Sequence, residues 1–362
     1  MLLELAEEFA RRNLEVCLLC NELSDALRPD FAACTQQVFE EPEVVDPFDF
    51  DLLWAQHHVL QPSLHASKVR NRKMPVTIFS HLSPYDPFET PGPFVERKLA
   101  DMIFANSPET AEAIRRYGKD FDRIEVLANP APRNFETTAK REGSISSLLV
   151  VSNHVPKELD VALNLLEKTG LIVERIGRRA THMRVTPEML AQADAVITIG
   201  KTVQYALRAR RPVFCYDRHA GPGWLCEANF GTAAWYNFSG RGFGPARSPE
   251  DLAREITAGA CEAQAFAGSI PPKRLAPFVL EDEISTILER AERHAGDPER
   301  SARLSYVLND PNFRAELAHE AALSSLINRE YLRRRKLETR VARLKDRRSF
   351  GSWFRRKKVP VT

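Results

Sequence analysis

The sequence has no hydrophobic run long enough to cross a membrane. No stretch of the 362 residues approaches the roughly 20 apolar residues that a membrane-spanning helix requires. The amino terminus also lacks the basic start and uninterrupted apolar segment of a signal peptide, and shows instead the 3.6-residue rhythm of an amphipathic helix. These absences argue against an integral membrane protein and against an exported one.

Cysteine is scarce, and its spacing does not suit a metal or redox centre. The six cysteines are scattered, and the one close pair, Cys17 and Cys20, falls in a strand-like run. Residues three apart on a strand face opposite sides of the sheet, so this pair is poorly placed for zinc or for a disulfide. We therefore predict a reduced, cytoplasmic protein with buried thiols.

The net charge of +2 conceals a sharp division along the chain. Residues 329–358 contain fourteen Lys and Arg residues against three acidic ones, so the rest of the chain carries nine more acidic than basic residues. The sequence thus combines an acidic body with a strongly basic tail.

Short apolar runs alternate with amphipathic segments in two successive series, which predicts two parallel sheets covered by helices on both faces. The polar segment 134–147 separates the series, and after Phe243 the pattern is helical only. We predict an α/β protein with two facing, doubly wound, Rossmann-like domains. The predicted units are an amino-terminal domain (1–133), a linker (134–147), a nucleotide-binding domain (148–260) and a helical region with the basic tail (261–362).

Residues 194–225 are the most informative segment of the chain. They read as a strand, a turn at Gly200, a helix that opens on Lys201 and Thr202, a second strand, and a second glycine turn that contains Gly221 and Gly223. At the carboxyl ends of parallel strands, helix amides and the helix dipole favour a phosphate. This layout predicts a site for a nucleotide diphosphate, although any α/β protein also needs glycines at such turns.

Several segments, in this order, resemble the GT-B glycosyltransferases over roughly residues 1–260. In the first half these segments are VTIFSH (76–81), ERKLADMIFANSPET (96–110) and VLANPAP (126–132). In the second half they are VVSNHVPKELDVALNLL (150–166) and ADAVITIGKTVQYAL, followed by PVFCYD and HAGPG. The resemblance implies a nucleotide-sugar donor between two domains, and a leaving diphosphate neutralised by helix N-termini and basic side chains instead of a metal.

The chain departs from that family in three respects. The family begins with a strand and a glycine-rich loop, whereas this sequence starts inside the helix that follows them, so either the start lies upstream or the acceptor domain is cut down. Tyr205, beside Gln204, replaces a glutamate that commonly holds the ribose. The paired-glutamate signature of many retaining members is absent, which leaves inversion or retention open.

The donor side is predicted to use basic residues and glycine turns, with solvated surface charge as the alternative for each basic residue. The predicted donor-binding residues are Lys157, Arg178, Gly200, Lys201, Thr202, Gln204, Tyr205, His219, Gly221 and Gly223.

The acceptor side is predicted around the end of the strand at residues 76–81. His81 is the first candidate for the general base, and Asp86 and Glu89 in the following loop are its rivals. His57 and His58 end a neighbouring strand and are predicted to bind the acceptor. Adjacent histidines diverge on a strand, so we predict no metal site there.

The tail joins a basic helix to an aromatic pair, Trp353 and Phe354. Such a segment suits docking on an anionic membrane surface. A coiled-coil contact through Leu337, Val341 and Leu344 and nonspecific nucleic-acid binding are the alternatives.

The resemblance and the tail together predict a metal-independent glycosyltransferase that serves surface polysaccharide synthesis on the inner face of a membrane. It takes no cofactor, since the nucleotide sugar is a substrate; its acceptor is a glycan or a lipid-linked glycan, nucleic acid is not a predicted partner, and homo-oligomerisation is left open. A sugar-nucleotide epimerase of the same fold and a noncatalytic nucleotide-sugar-binding or glycan-binding scaffold are the alternatives. The donor nucleotide, the sugar and the acceptor are not determined by the residues.

Overall fold

A computed structural model describes residues 1–67, 72–85, 89, 94–137, 143–177, 181 and 183–355, with residues 342, 343 and 345–355 described by their helical backbone alone. Its strands are β1 (Cys17–Leu19), β2 (Gln37–Phe39), β3 (Leu52–Gln56), β4 (Val76–His81), β5 (Met102–Ala105), β6 (Glu125–Val126), β7 (Ser147–Val151), β8 (Ile172–Ile176), β9 (Ala195–Thr198), β10 (Val213–Asp217) and β11 (Ala220–Trp224).

Helices alternate with these strands and then continue alone. They are α1 (Leu2–Arg11), α2 (Arg28–Ala32), α3 (Leu60–Ala66), α4 (Val95–Leu99), α5 (Pro108–Arg115), α6 (Lys157–Lys168), α7 (Pro187–Gln192), α8 (Lys201–Arg208), α9 (Glu227–Trp235), α10 (Pro249–Ala258), α11 (Ala260–Ser269), α12 (Pro272–Leu275), α13 (Leu280–Ala295), α14 (Pro298–Asn309) and α15 (Pro311–Arg355). Short 3-10 turns occupy Pro42–Val44, Pro47–Asp49, Lys119–Phe121, Arg133–Phe135 and Ala276–Phe278.

Four helices share one local start signal. A capping side chain accepts a backbone N–H of the first turn, proline follows at the first helical position, and glutamate comes next. The four caps are Ser107 for α5, Thr186 for α7, Ser248 for α10 and Asp297 for α14. Because proline lacks the N–H that would be unpaired there and glutamate complements the helix dipole, the sequence fixes where these helices begin.

The amino-terminal half contains two separate parallel sheets. Strands β3, β4, β5 and β6 pair in chain order, and within the described residues β1 pairs only with β2. Every residue of β4 and β5 is buried, as expected for parallel strands covered on both faces. Helix α1 lies against both sheets, since Leu5 packs with the four-stranded sheet and Leu3 with the β1–β2 pair.

The carboxyl-terminal half has one five-stranded sheet in the order β11-β10-β9-β7-β8. Strands β7 to β10 are parallel, and β11 joins the edge antiparallel to β10. The largely parallel sheets of the two halves, with their covering helices, confirm the predicted fold class, including the helical carboxyl-terminal extension.

The helical extension does not stand apart from the two halves. Helix α11 packs on the carboxyl-terminal sheet, whereas α13, α14 and the first part of α15 return to the amino-terminal sheet. The two connections between the halves run side by side, because Ala131 N–H donates to Phe278 O at 2.9 Å and Leu280 N–H donates to Ala131 O at 2.9 Å. The predicted region 261–362 is therefore divided between both halves.

No helix in the described part of the chain combines the length and the apolar character that crossing a bilayer requires.

Candidate functional site

The loops beyond the carboxyl ends of the two sheets meet. Asn129, after β6, donates from Nδ2 to Oδ1 of Asn237 at 3.0 Å. Arg241 donates from Nε to Oε1 of Glu109, at the start of α5, at 2.8 Å. Ligands of open α/β sheets bind outside the carboxyl ends of the strands. The cleft between the halves is therefore the candidate site.

Helix α8 presents an uncapped N-terminus to this cleft. Gly200 precedes it with φ 59° and ψ −137°, a left-handed backbone that favours glycine, and no side chain of the described residues caps the helix. The predicted helix start at Lys201 is confirmed. Its first amides and the positive end of its dipole suit an anion.

Lys201 faces the amino-terminal half rather than solvent. Its ammonium forms an ion pair with Glu4 of α1 and lies 3.4 Å from the carbonyl oxygen of Pro130. The Tyr205 hydroxyl donates to the same Glu4 carboxylate, and the Tyr205 ring stacks on Phe135 with centroids 4.2 Å apart. Lys201 and Tyr205 thus join the two halves in this structure.

The amino group of Met1 completes this cluster, 3.3 Å from the Glu4 carboxylate. Burial is the main reason that the pKa of this amine falls to about 6, and the positive Lys201 lowers it further. Burial alone would raise the pKa of Glu4, but the Lys201 and Met1 ammonium groups outweigh burial and lower it. A diphosphate at α8 would compete with Glu4 for Lys201.

Gln204 is also engaged between the halves. It is 1% exposed, and its Nε2 donates to the carbonyl oxygen of Ala128 at 3.1 Å. Thr202 is half-buried in the first turn of α8. The donor-binding roles of Gln204 and Tyr205 remain predictions, and both side chains are occupied by contacts between the halves.

The second glycine segment is not a turn, and that prediction is wrong. Gly221 and Gly223 lie in strand β11, and a Cβ on Gly221 would come within 2.2 Å of the carbonyl oxygen of Cys215 on β10. The connection between these strands is at Arg218 and His219 instead, where the exposed His219 donates its backbone N–H to Asp217. The glycines permit close pairing of an edge hairpin. Because β11 runs antiparallel to β10, the helix that follows it, α9, begins at the opposite edge of the sheet from the start of α8.

His81 is buried with both ring nitrogens engaged. Nδ1 donates to the carbonyl oxygen of Glu89 at 3.1 Å, and Nε2 lies 2.7 Å from Oε1 of Glu96. Burial alone would lower the pKa of His81, but the negative charge of Glu96, its hydrogen bond and Glu89 outweigh burial and raise it. A doubly donating imidazolium is a poor base, so the geometry does not favour His81 as the general base.

Glu89 and His57, a predicted base and a predicted acceptor contact, come together beyond the ends of β3 and β4. Glu89 is 6% exposed, and its Oε2 accepts the backbone N–H of Leu82 at 2.9 Å. Its other oxygen lies 3.5 Å from Nδ1 of the exposed His57, which adopts φ 56° directly after β3. His58, the residue after His57, is buried. The third candidate base, Asp86, lies outside the described residues.

On the donor side, Lys157 is exposed at the first position of α6, directly after the loop that follows β7. Arg178, which is also predicted to bind the donor, lies outside the described residues.

The link between Arg241, Glu109 and Tyr85 was not predicted. The Arg241 guanidinium makes a two-pronged ion pair with Glu109 and lies 5.5 Å from the centre of the Tyr85 ring. The aromatic and glycine-rich segment around Arg241 signals a structured loop, but nothing local indicates that its partner lies more than 100 residues earlier.

In the described residues, no three or more His, Cys, Asp or Glu side chains are grouped so that they could hold a metal ion.

Comparison with solved structures identifies the architecture. Two structures of HepE from Anabaena, one in complex with UDP-glucose and one with UDP and glucose, match with TM-scores of 0.51 and 0.50. They are 14% and 13% identical, and each match covers 80% of this chain and 94% of HepE. The apo form of the lipopolysaccharide outer core galactosyltransferase WaaB also matches, with 12% identity, a TM-score of 0.46, and coverage of 81% of this chain and 93% of WaaB.

No protein-family model matches the sequence, and no curated protein sequence is significantly similar to it. The fold rests on the HepE structures and on the topology, in which two parallel α/β halves face each other across a cleft. The chain has the GT-B fold.

Proposed function

We propose that the protein is a glycosyltransferase that moves a sugar from a nucleotide-sugar donor to a glycan or lipid-linked acceptor. The observation that carries the proposal is the uncapped N-terminus of α8, with Gly200 before it and Lys201 on it, at the junction of the two halves. The HepE structures bind UDP and UDP-glucose in the same fold, which supports a uridine nucleotide as the first donor to test.

The proposed reaction needs stabilisation of the departing diphosphate. The backbone amides and the dipole of α8 supply that stabilisation without reorganisation. Lys201 adds a positive charge, which its ion pair with Glu4 already holds beside the helix start. Lys157, at the start of α6, is proposed as a second phosphate contact from the neighbouring loop.

The acceptor hydroxyl must lose a proton during transfer. We assign this step to the pair of Glu89 and His57, because His57 is exposed and Glu89 lies 3.5 Å from its ring. A carboxylate that orients an imidazole is a common arrangement for general-base catalysis. Glu89→Gln and His57→Gln should each lower kcat by about 100-fold or more while nucleotide binding is retained.

Nucleotide binding is tested by thermal shift with UDP, GDP, CDP, dTDP and CMP. A nucleotide at 100 times its Kd stabilises the folded protein by about 2.7 kcal/mol. Lys201→Met should remove most of the shift. The control Lys168→Met, at the exposed carboxyl end of α6, should leave the shift unchanged. Because Lys201 pairs with buried Glu4, the Lys201→Met protein should also melt lower without ligand. An undiminished shift in Lys201→Met would refute the phosphate site.

A turnover assay distinguishes this function from its alternatives. A glycosyltransferase releases nucleotide only with both donor and acceptor, whereas an epimerase converts its donor without an acceptor. A noncatalytic scaffold binds the nucleotide sugar and releases none of the nucleotide. The proposal fails if donor conversion is independent of every glycan acceptor offered.

The tail supports a peripheral position on an anionic membrane, and with it a lipid-linked acceptor and a role in surface polysaccharide synthesis. Helix α15 continues to Arg355, and Leu337, Val341 and Leu344 are exposed on its described part. Each basic residue near an anionic surface contributes about 1 kcal/mol. Cosedimentation with phosphatidylglycerol vesicles but not phosphatidylcholine vesicles is expected, weakened by salt. Equal recovery of a protein that ends at Arg329 would contradict membrane docking by the tail.

A further inference from the structure

Helix α4 is held at its start by a side chain from a distant part of the chain. Its N-cap residue is Phe94, which has no side-chain group that could accept a hydrogen bond. The Glu320 carboxylate of α15 instead accepts the backbone N–H of Phe94 at 2.9 Å and that of Val95 at 3.4 Å. The first N–H groups of an α-helix have no partner within the helix. Glu320 therefore acts as the cap of α4.

Other helices of this protein are capped by a residue that directly precedes them. Helices α5, α7, α10 and α14 each follow a Ser, Thr or Asp whose side chain accepts a backbone N–H of the first turn. A local cap of that kind holds the start of a helix whatever packs around it. At α4 the bonds come from α15, so the position of α4 depends on the position of α15.

Glu320 is an energetically unfavourable residue for this position. It is 7% exposed, and its carboxylate is bonded to neutral backbone amides. Burial raises its pKa, the two amides lower it, and the negative charges of Glu96 and Glu316 raise it. A carboxylate buried among neutral groups costs free energy, and ionisable groups with perturbed pKa values are concentrated at functional sites. Glu320 therefore points to a function beyond the capping of one helix.

Helix α4 carries the residue that holds His81. Glu96 is buried in the first turn of α4, and its Oε1 lies 2.7 Å from Nε2 of His81. Nδ1 of the same ring donates to the carbonyl oxygen of Glu89 at 3.1 Å. The imidazole ring is rigid, so a contact that fixes one nitrogen also orients the other. The start of α4 therefore determines where the backbone of Glu89 is held.

Glu89 is held by both its backbone and its side chain. Its carbonyl oxygen accepts from His81, and its Oε2 accepts the backbone N–H of Leu82 at 2.9 Å. Its other carboxylate oxygen, Oε1, lies 3.5 Å from Nδ1 of His57. This distance is slightly longer than an ordinary hydrogen bond, so a small displacement of Glu89 decides whether the contact forms.

We propose that Glu320 is a positioning residue for the pair of Glu89 and His57. It acts through the start of α4, where Glu96 keeps the His81 ring on the Glu89 carbonyl oxygen. A displacement of about 1 Å in a catalytic group can cost about 100-fold in rate. This role rests on the proposed function, in which Glu89 and His57 take the proton of the acceptor.

Glu320→Gln tests the proposal with little change in side-chain shape. The amide oxygen can accept one of the two N–H groups, but the amide nitrogen is a donor and cannot accept the other. Because the substitution also removes a buried charge, Tm should change little. We expect kcat for sugar transfer to fall by about 10-fold or more. KM for the nucleotide sugar should change by less than about 2-fold, because the donor side is not altered.

Two variants of the same helix distinguish positioning from stability. Glu316 lies one turn before Glu320 and is half-buried, and Glu316→Gln should leave kcat unchanged. Leu317→Val shortens a buried side chain that packs with Phe79 and Ile103. It should lower Tm but not kcat at temperatures where the protein is folded. Equal losses of kcat in Leu317→Val and Glu320→Gln would mean that stability alone accounts for the effect, and the proposal would fail.

A double substitution shows whether the effect passes through Glu89. In the Glu89→Gln protein, Glu320→Gln should lower kcat by less than about a further 2-fold, because the effects of residues that act as a unit are not additive. A further loss as large as in the unsubstituted protein would overturn the proposal, since Glu320 would then act independently of Glu89.

Hydrogen exchange tests the same contacts without substrate. The amide of Leu82, which donates to Glu89, should exchange about 10-fold faster or more in Glu320→Gln, and the amide of Ile103 in β5 should not change. An unchanged rate at Leu82 would exclude the connection between Glu320 and Glu89, whether or not turnover is found. Absence of turnover from the unsubstituted protein would be the failure of the proposed function instead, and the rate at Leu82 would still decide whether Glu320 positions Glu89.

Discussion

Replacing Arg300 by methionine should destabilise the amino-terminal half severely. Arg300, on α14, is 3% exposed at its side chain and forms a two-pronged ion pair with Asp101, whose side chain is 1% exposed. Its Nε donates to Oδ1 at 2.7 Å and its Nη2 to Oδ2 at 2.6 Å. The same guanidinium donates to the carbonyl oxygens of Met74 at 3.2 Å and of Pro75 at 2.7 Å.

The magnitude follows from what the substitution leaves behind. Methionine preserves much of the side-chain volume but leaves the Asp101 carboxylate buried, where the backbone N–H of Thr77 donates to it at 2.9 Å. Removal of one member of a buried ion pair costs about 3–5 kcal/mol. A folding unit of 150–250 residues loses roughly 2–4 °C of Tm per kcal/mol, so the expected fall is about 6–20 °C.

Differential scanning calorimetry measures this effect against a matched control. Arg303 is one turn further along α14, is 48% exposed at its side chain and lies 4.0 Å from Asp101. Arg303→Met should cost no more than about 1 kcal/mol, because an exposed ion pair contributes little. Adding Asp101→Asn to Arg300→Met should recover part of the loss, since it removes the uncompensated charge and retains an acceptor for Thr77. Equal melting of the Arg300→Met and Arg303→Met proteins would refute the reasoning.

Two further perturbations test the environment of the cleft. Glu96→Gln should lower Tm most near pH 6. The ion pair with Glu96 raises the pKa of His81, so it stabilises the fold fully below the unfolded pKa of about 6.5, and this stabilisation is lost as pH rises through the folded pKa. A Tm difference between Glu96→Gln and the unsubstituted protein that is constant from pH 6 to 9 would contradict this. Gly240→Ala should cost about 1–3 kcal/mol in urea unfolding, because its Cβ would lie 2.1 Å from Ala220 O, whereas Gly244→Ala, with no atom within 4 Å, should change stability by less than about 0.5 kcal/mol.

The sequence predicted the parallel core well because each strand and helix start carries its own local signal. The apolar runs at 37–39 and 102–105 form β2 and β5, and the amphipathic run at 249–258 forms α10. Start signals such as Ser248-Pro249 act within one turn of helix, so they need no knowledge of the rest of the fold. Strand β11 was missed because glycine and proline favour turns locally, whereas here glycine allows close pairing with β10.

The candidate site was only partly predictable for the same reason. Gly200 and Lys201 were found because a glycine between a buried strand and a helix is a local pattern. That Lys201 would pair with Glu4, about 200 residues earlier, depends on how the halves meet, which no local pattern records. The sequence around His81 does not indicate that Glu96 engages its ring, because Glu96 belongs to the separate element α4.

The paired crossings at Ala131 and Phe278–Leu280 limit how the cleft can open. A single covalent connection would let one half swivel about any axis, but two connections bonded side by side leave one easy axis of rotation, roughly along the line that joins them. Bending about that axis would part Arg241 from Glu109 and Lys201 from Glu4 together, whereas twisting would first have to break the hydrogen bonds of Ala131. Under the proposed function, substrate entry and product exit would then share a single opening motion.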